Sequence, residues 1–239
     1  MSKTTKLLSL FLLFSLLISS SAKAAKKLTC ATTHYPPYTV FDESKNEFIG
    51  SDMALLQVLF KSLDLDVEVV NLPWARLKQE IEESRYDCYF SLGKFPNREV
   101  YLDYTSTPIH ITKIGVFTPK NSKRLDLTKK VVGVHRGINF HLDITNLHQL
   151  ENATFKKLPS NDVLFKMLIH ERLDAVITSK VVGEYVLKSS YPNFMANVTS
   201  ISHYQLPTYL AFKKGATDIN VINKALLKIK KTHPELFQK

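Results

Sequence analysis

Short apolar runs alternate with stretches whose apolar residues recur every three or four positions, and this alternation continues from Leu28 to the end of the chain. Uninterrupted short runs suit buried strands; the longer period suits helices packed on one face. Leu28–Thr32 reads as a strand. Tyr35-Pro36-Pro37-Tyr38 must then be an extended loop, because proline lacks an amide donor and pushes its predecessor away from helix. Gly50-Ser51-Asp52 offers a helix start, followed by Met53, Leu55, Leu56, Leu59, Phe60 and Leu63 at helical spacing. Val67–Leu72 is the next strand. Pro73 fits a first-turn position, and Trp74, Leu77 and Ile81 form one apolar stripe. Tyr86–Leu92 is a third strand. The scheme repeats with a strand at Val131–Val134, a helix capped by Ser160 that carries Val163, Leu164, Met167 and Leu168, a strand at Ala175–Thr178 and a helical stretch over Gly183–Leu187. Tyr209–Phe212 is strand-like, and Ile219, Ile222, Leu226 and Ile229 mark a last amphipathic helix. Such strand–helix–strand units build parallel sheets covered by helices. The 239 residues hold two units of about 100 residues each.

In an open parallel sheet, ligands bind beyond the carboxyl ends of the strands. That rule alone gathers His34 to Tyr38, Leu92 to Arg98, His135 to Asn139, and Thr178 with Ser179 around one candidate crevice.

The first 24 residues follow a different logic. Lys3 and Lys6 precede an apolar run from Leu7 to Ile18, interrupted only by Ser9 and Ser15. Ser19, Ser20 and Ser21 then lead to Ala22-Lys23-Ala24, a small-x-small cleavage site. This is the anatomy of a secretory signal peptide; its apolar run is short for a membrane span, which needs about 20 residues. The expected mature protein is therefore exported to the periplasm. The segment carries Lys3, Lys6 and Lys23 and no acid, so the remainder keeps +7 of the formal +10 charge. The lysines are spread along the chain rather than massed, and with export this argues against nucleic acid as a partner. Cys30 and Cys88 are the only cysteines. In an exported chain they form either one disulfide or two buried thiols, and the sequence leaves both open. Their spacing excludes a paired CxxC zinc site. No GxSxG, HExxH, P-loop or GxGxxG pattern is present. His135, His141 and His148 recur at moderate spacing, but no metal or other cofactor is expected.

The ordered set of loops resembles the family 3 bacterial extracellular solute-binding proteins. Tyr35-Pro36-Pro37-Tyr38 follows the first strand, and Gly50-Ser51-Asp52 opens the first helix. Pro73-Trp74-Ala75-Arg76-Leu77 precedes Tyr86-Asp87, and Phe95-Pro96-Asn97-Arg98-Glu99 leads to Asp103-Tyr104-Thr105-Ser106-Thr107-Pro108-Ile109. Gly133-Val134, Arg172-Leu173-Asp174-Ala175-Val176 and Tyr209-Leu210-Ala211-Phe212-Lys213-Lys214-Gly215 complete the series. The resemblance implies the type 2 periplasmic binding fold: two α/β lobes joined by two crossover strands, with residues 25–109 plus 207–239 in lobe one and 110–206 in lobe two. It also implies a monomer that closes on a small carboxylate or amino-acid-like ligand and serves an ABC permease or a membrane sensor.

Carried over residue by residue, the resemblance makes Arg98 the grip on a ligand carboxylate, which a planar guanidinium pairs bidentately. A helix beginning at Pro96 or Asn97 would add backbone donors. Tyr38 stands where the family places an aromatic ring against the ligand, and Phe95 is a second wall. Trp74, Arg76 and His34 are further candidates. In lobe two, Arg136 and Asn139 flank the loop where the family has Gly-Thr; here Gly137 is followed by Ile138. Where amino-acid-binding members place an acid for the ligand ammonium, this chain has Ser179, with Glu184 nearby as the residue able to compensate. Gly93 and Phe95 stand where threonines are common. The carboxylate clamp is thus kept and the ammonium clamp is lost. Competing expectations on the same fold are a cyclohexadienyl-dehydratase-like enzyme, which would need a general acid such as Glu184 or His34, and a sensory binding protein acting in trans without a transporter.

Overall fold

The structure is a computed structural model, and it describes residues 26–122, 126–136 and 150–237. The signal-peptide segment, Gly137 to Asn139, His141 and His148 lie outside the described residues.

The elements follow as β1 (Lys26–Thr32), β2 (Val40–Asp42), β3 (Glu47–Ile49), α1 (Ser51–Ser62), β4 (Leu65–Asn71), α2 (Trp74–Glu82), β5 (Cys88–Gly93), α3 (Pro96–Glu99), β6 (Leu102–Tyr104), β7 (His110–Pro119), β8 (Val131–His135), β9 (Thr154–Leu158), α4 (Asn161–Ile169), β10 (Ala175–Ser179), α5 (Lys180–Ser190), β11 (Ala196–Lys213) and α6 (Ile219–Thr232). Two parallel groups form as the alternation requires: β4-β1-β5 in one lobe and β9-β8-β10 in the other. Two long antiparallel strands join them. β11 pairs with β7 along most of its length and then with β5 and β6, so strands of both lobes belong to one continuous nine-stranded sheet. This is the mixed α/β fold with two crossover strands.

Each lobe is covered on both faces. In the first, Leu55, Leu56, Leu59 and Phe60 of α1 pack with Ile222, Leu226 and Ile229 of α6 on one face. Leu77 and Ile81 of α2 pack on Ala31, Tyr89 and Leu92 on the other. In the second, Leu164, Phe165 and Leu168 of α4 and Val186 of α5 cover Phe117 and Val176. The opposite face holds Ile114, Val132, Val134 and Ile177. Helix starts are fixed locally: the Ser160 and Ser179 hydroxyls accept from the amides of Val163 and Val182, and Asp218 accepts from Asn220. Gly50 precedes α1 with φ +123°, where a Cβ would lie 2.4 Å from the Tyr38 carbonyl oxygen, so glycine is required there.

Cys30 and Cys88 are register partners on neighbouring β1 and β5, with Cα atoms 4.4 Å apart, and they form a disulfide. The strand expected at Tyr209–Phe212 is only the end of 18-residue β11.

Candidate functional site

The carboxyl ends of β1, β5, β8 and β10 converge on a cavity of about 670 Å³ lying against the two long strands. Lobe one contributes Thr33, His34 and Tyr35 after β1, Trp74, Lys78, Ile81 and Glu82 from α2, and Ser91, Gly93 and Phe95 to Arg98 at the end of β5. Lobe two contributes His135, Asn161, Thr178 and Ser179, and the crossover strands add Thr112, Ile114, Tyr204, Leu206 and Thr208. A size of 300–1,000 Å³ and a mixture of aromatic walls with a few polar groups are usual for small-molecule sites.

Arg98 is the most constrained group in the cavity. Its guanidinium lies 5.2 Å from the Trp74 ring and 5.0 Å from the Phe95 ring, and Nη1 donates to the Gly93 carbonyl at 2.8 Å. The Tyr104 hydroxyl also approaches this carbonyl, donating at 3.3 Å. Burial pushes the guanidinium pKa down, opposed by Tyr104, and burial holds the Tyr104 phenol up at about 12. Arginine nevertheless stays charged at neutral pH. Among the described residues no carboxylate neutralises it: adjacent Glu99 pairs with Lys94 at 2.9 Å. A desolvated cation held in place by rings and a carbonyl, with no acid beside it, is an acceptor for an anion.

Gly93, Phe95, Trp74, His34 and Ser179 also line the cavity, as the sequence pattern predicts. Others do not. Tyr38 is buried at 2% exposure, with its ring stacked on His110 at 3.7 Å. The tight turn that bridges Tyr35 to Thr39 stacks the two rings with centroids 5.6 Å apart, so that Tyr35 takes the cavity position and Tyr38 lies between it and His110. Arg76 lies two residues from both Trp74 and Lys78, about 200° around the helix, and points outward to Glu80 and Gln79. Arg136 is exposed past the end of β8, where its amide donates to the Leu158 carbonyl, and its side chain is not part of the lining. Glu184 pairs with Lys180 at 3.8 Å on the exposed face of α5, away from the cavity. The helix expected at Pro96 is the single turn α3, whose Arg98 and Glu99 amides already donate to the Phe95 carbonyl.

Sequence reasoning gathered Tyr35 with its loop but chose Tyr38 as the aromatic wall, and it passed over Lys78, Thr112 and Asn161. Lys78 was findable, since it continues the row from Trp74 at helical spacing. Thr112 and Asn161 sit at strand and helix positions whose neighbours in space come from distant segments.

Lobe two presents the starts of two helices. Ser179 caps α5, and Asn161 is the first residue of α4; the Asn161 side-chain Oδ1 accepts from the Thr178 hydroxyl at 2.8 Å, and both residues line the cavity. The Tyr35 hydroxyl sits close to those of Ser179 and Thr112, and burial raises its pKa. His34 and His135 are both held down by desolvation. The His34 Nδ1 accepts from the Phe41 amide, so its remaining ring nitrogen carries the hydrogen, and the His135 Nδ1 donates to the Arg136 carbonyl.

Beneath the floor, Asp52 at the start of α1 accepts from Ser91 and contacts the His110 Nδ1 at 2.9 Å. The site is thus braced by a buried carboxylate–imidazole pair.

The model of the bacterial extracellular solute-binding proteins, family 3, matches residues 28–239. The L-cystine-binding protein of Bacillus subtilis strain 168 is 22% identical over 213 residues, covering 88% of this chain and 79% of that one. Among solved structures, an ancestral arginine-binding protein bound to arginine superposes with a TM-score of 0.74 at 22% identity, covering 90% of this chain and 97% of the other. The arginine-, lysine-, histidine-binding protein of Geobacillus stearothermophilus gives a TM-score of 0.73 at 20% identity, with 89% and 94% covered.

Proposed function

Because the chain belongs to the bacterial extracellular solute-binding proteins, family 3, we propose that its cavity captures one small carboxylate or amino-acid-like solute between the lobes and delivers it to an ABC permease or a membrane sensor. The protein acts as a periplasmic monomer after removal of residues 1–24, and binds without transforming its ligand. The lobes, residues 25–109 with 207–239 and residues 110–206, close over the guest by bending at β7 and β11.

The observation that carries this reading is Arg98: a desolvated guanidinium in a cavity, fixed by two rings and a carbonyl, with no acidic partner among the described residues. The ligand carboxylate supplies the missing charge. Tyr35, Trp74 and Phe95 wall the guest, and His34, Gly93 and Ser179 offer polar contacts. Among the described residues no helix is long and apolar enough to cross a membrane.

The test is a thermal-shift screen of small metabolites on the mature chain, followed by calorimetry. A true ligand raises the melting temperature by mass action and is recovered chemically unchanged. Arg98→Met should weaken that ligand at least about 30-fold, since losing one partner of a buried charge pair costs about 2–5 kcal/mol. Undiminished binding by that variant would end the reading.

A further inference from the structure

The cavity's charge is distributed more unevenly than one carboxylate needs. Trp74, Lys78 and Glu82 follow one another at four-residue intervals on the cavity face of α2. Each therefore lies about 6 Å further along the helix axis than the last. Trp74 is the residue stacked on the Arg98 guanidinium. Lys78 stands one turn beyond it, half-buried, and Glu82 stands a further turn out at the exposed rim. Among the described residues Lys78 has no ion-pair partner. It is a second cation lining the same cavity, one helical turn along α2 from the Trp74 ring that stacks on the first.

The opposite wall places no charged side chain in the lining; Asp162, next to Asn161, is felt by His34 but does not line the cavity. His135, Asn161, Thr178 and Ser179 are uncharged, the histidine because desolvation holds its pKa down. The starts of α4 and α5 face inward there, and helix starts favour negative charge. The Thr112 hydroxyl in the cavity floor is buried and without a well-formed hydrogen bond. The one acid in the lining, Glu82, is at the mouth. An α-ammonium group would enter a space lined by two cations and no inner carboxylate, the buried Asp52 lying beneath the floor and already engaged by Ser91 and His110.

We propose that the preferred ligand is a small dianion, a carboxylate carrying a second acidic group about one helical turn away, with Arg98 receiving one end and Lys78 the other. This rests on the carboxylate-binding reading given above. It makes Lys78 the residue that selects the second charge, and it places Glu82 as a gate whose like charge weakens the ligand's entry.

The experiment is calorimetry of the mature protein with succinate and glutarate, set beside butyrate and L-arginine at the same ionic strength. The expected result is that one dicarboxylate binds at least tenfold more tightly than butyrate and L-arginine. Lys78→Met should remove that advantage, Lys78→Arg should keep most of it, and Glu82→Gln should tighten dicarboxylate binding. Melting temperatures of the apo variants confirm that each folds, as expected for half-buried or exposed positions. The inference is overturned if neither dicarboxylate binds, if butyrate or L-arginine binds as well, or if Lys78→Met leaves dicarboxylate affinity unchanged. Arg98→Met separates the two claims: should it abolish binding of L-arginine or butyrate while Lys78→Met does nothing, the carboxylate site stands and the second anion site falls.

Discussion

His110 and Asp52 are fully buried, and their contact links the first crossover strand to the first helix directly under the cavity. Tyr38 stacks on the imidazole and Ser91 donates to the carboxylate, so each polar atom of Asp52 has a partner. Deleting one member strands the other out of water. His110→Ala should therefore destabilise the fold by about 3 kcal/mol or more. Asp52→Asn, which keeps an acceptor for Ser91, should cost less. Urea denaturation of both variants checks the order. The same pair explains why Tyr38 is structural. The sequence marks an aromatic in the right loop, but a Tyr-Pro-Pro-Tyr turn carries two, and only the packing of one ring on His110 decides which remains for the cavity.

At the scale of elements, α5 shows how closely the second lobe is fitted. Gly183 lies against the Phe117 ring, and a Cβ there would come within 2.2 Å of it. Phe117 cannot retreat, because it is fully buried and packs edge-on against Phe165 at 5.1 Å. Gly183→Ala gains helix propensity yet should destabilise by about 1–3 kcal/mol through overpacking; a fall in melting temperature measures it, and a rise would refute the fit. Helices with strong apolar stripes were readable from periodicity: α1 and α6 carry the residues that the spacing assigns to the core, and α4 carries Leu164 and Leu168 but also buries Phe165, which the spacing did not mark, in place of Val163. The long strands were less readable. β11 runs 18 residues because β7 and then β5 supply its hydrogen-bond partners in turn. A strand's length reflects partners from remote segments, which no local pattern carries. Lys78 and Arg76 make the same point within one helix. Both are basic and two residues apart, and the apolar stripe of Leu77 and Ile81 does not say which flank borders the crevice.

For the molecule as a whole, the disulfide ties β1 to β5 across 58 residues of chain. Closing a loop of that length lowers the entropy of the unfolded chain by an amount worth about 4 kcal/mol in the chain-entropy treatment. A Cys30→Ser, Cys88→Ser double variant should melt well below the oxidised protein, and a thiol reductant should shift the wild type toward it. Periodicity, proline and glycine placement, caps and the charged, apolar, small-residue start were all local properties, so the amino-acid order determined the α/β alternation, the helix starts, the expected export signal and the set of loops near the crevice. The tertiary structure decided the pairing of Cys30 with Cys88, the outward turn of Arg76 and Glu184, the burial of Tyr38, and the meeting of Arg98 with Trp74, Phe95 and Lys78 in one cavity. Those outcomes depend on which surfaces two distant stretches present to each other once the sheet has assembled. That relation exists only in three dimensions, because burial and charge pairing are set by neighbours in space.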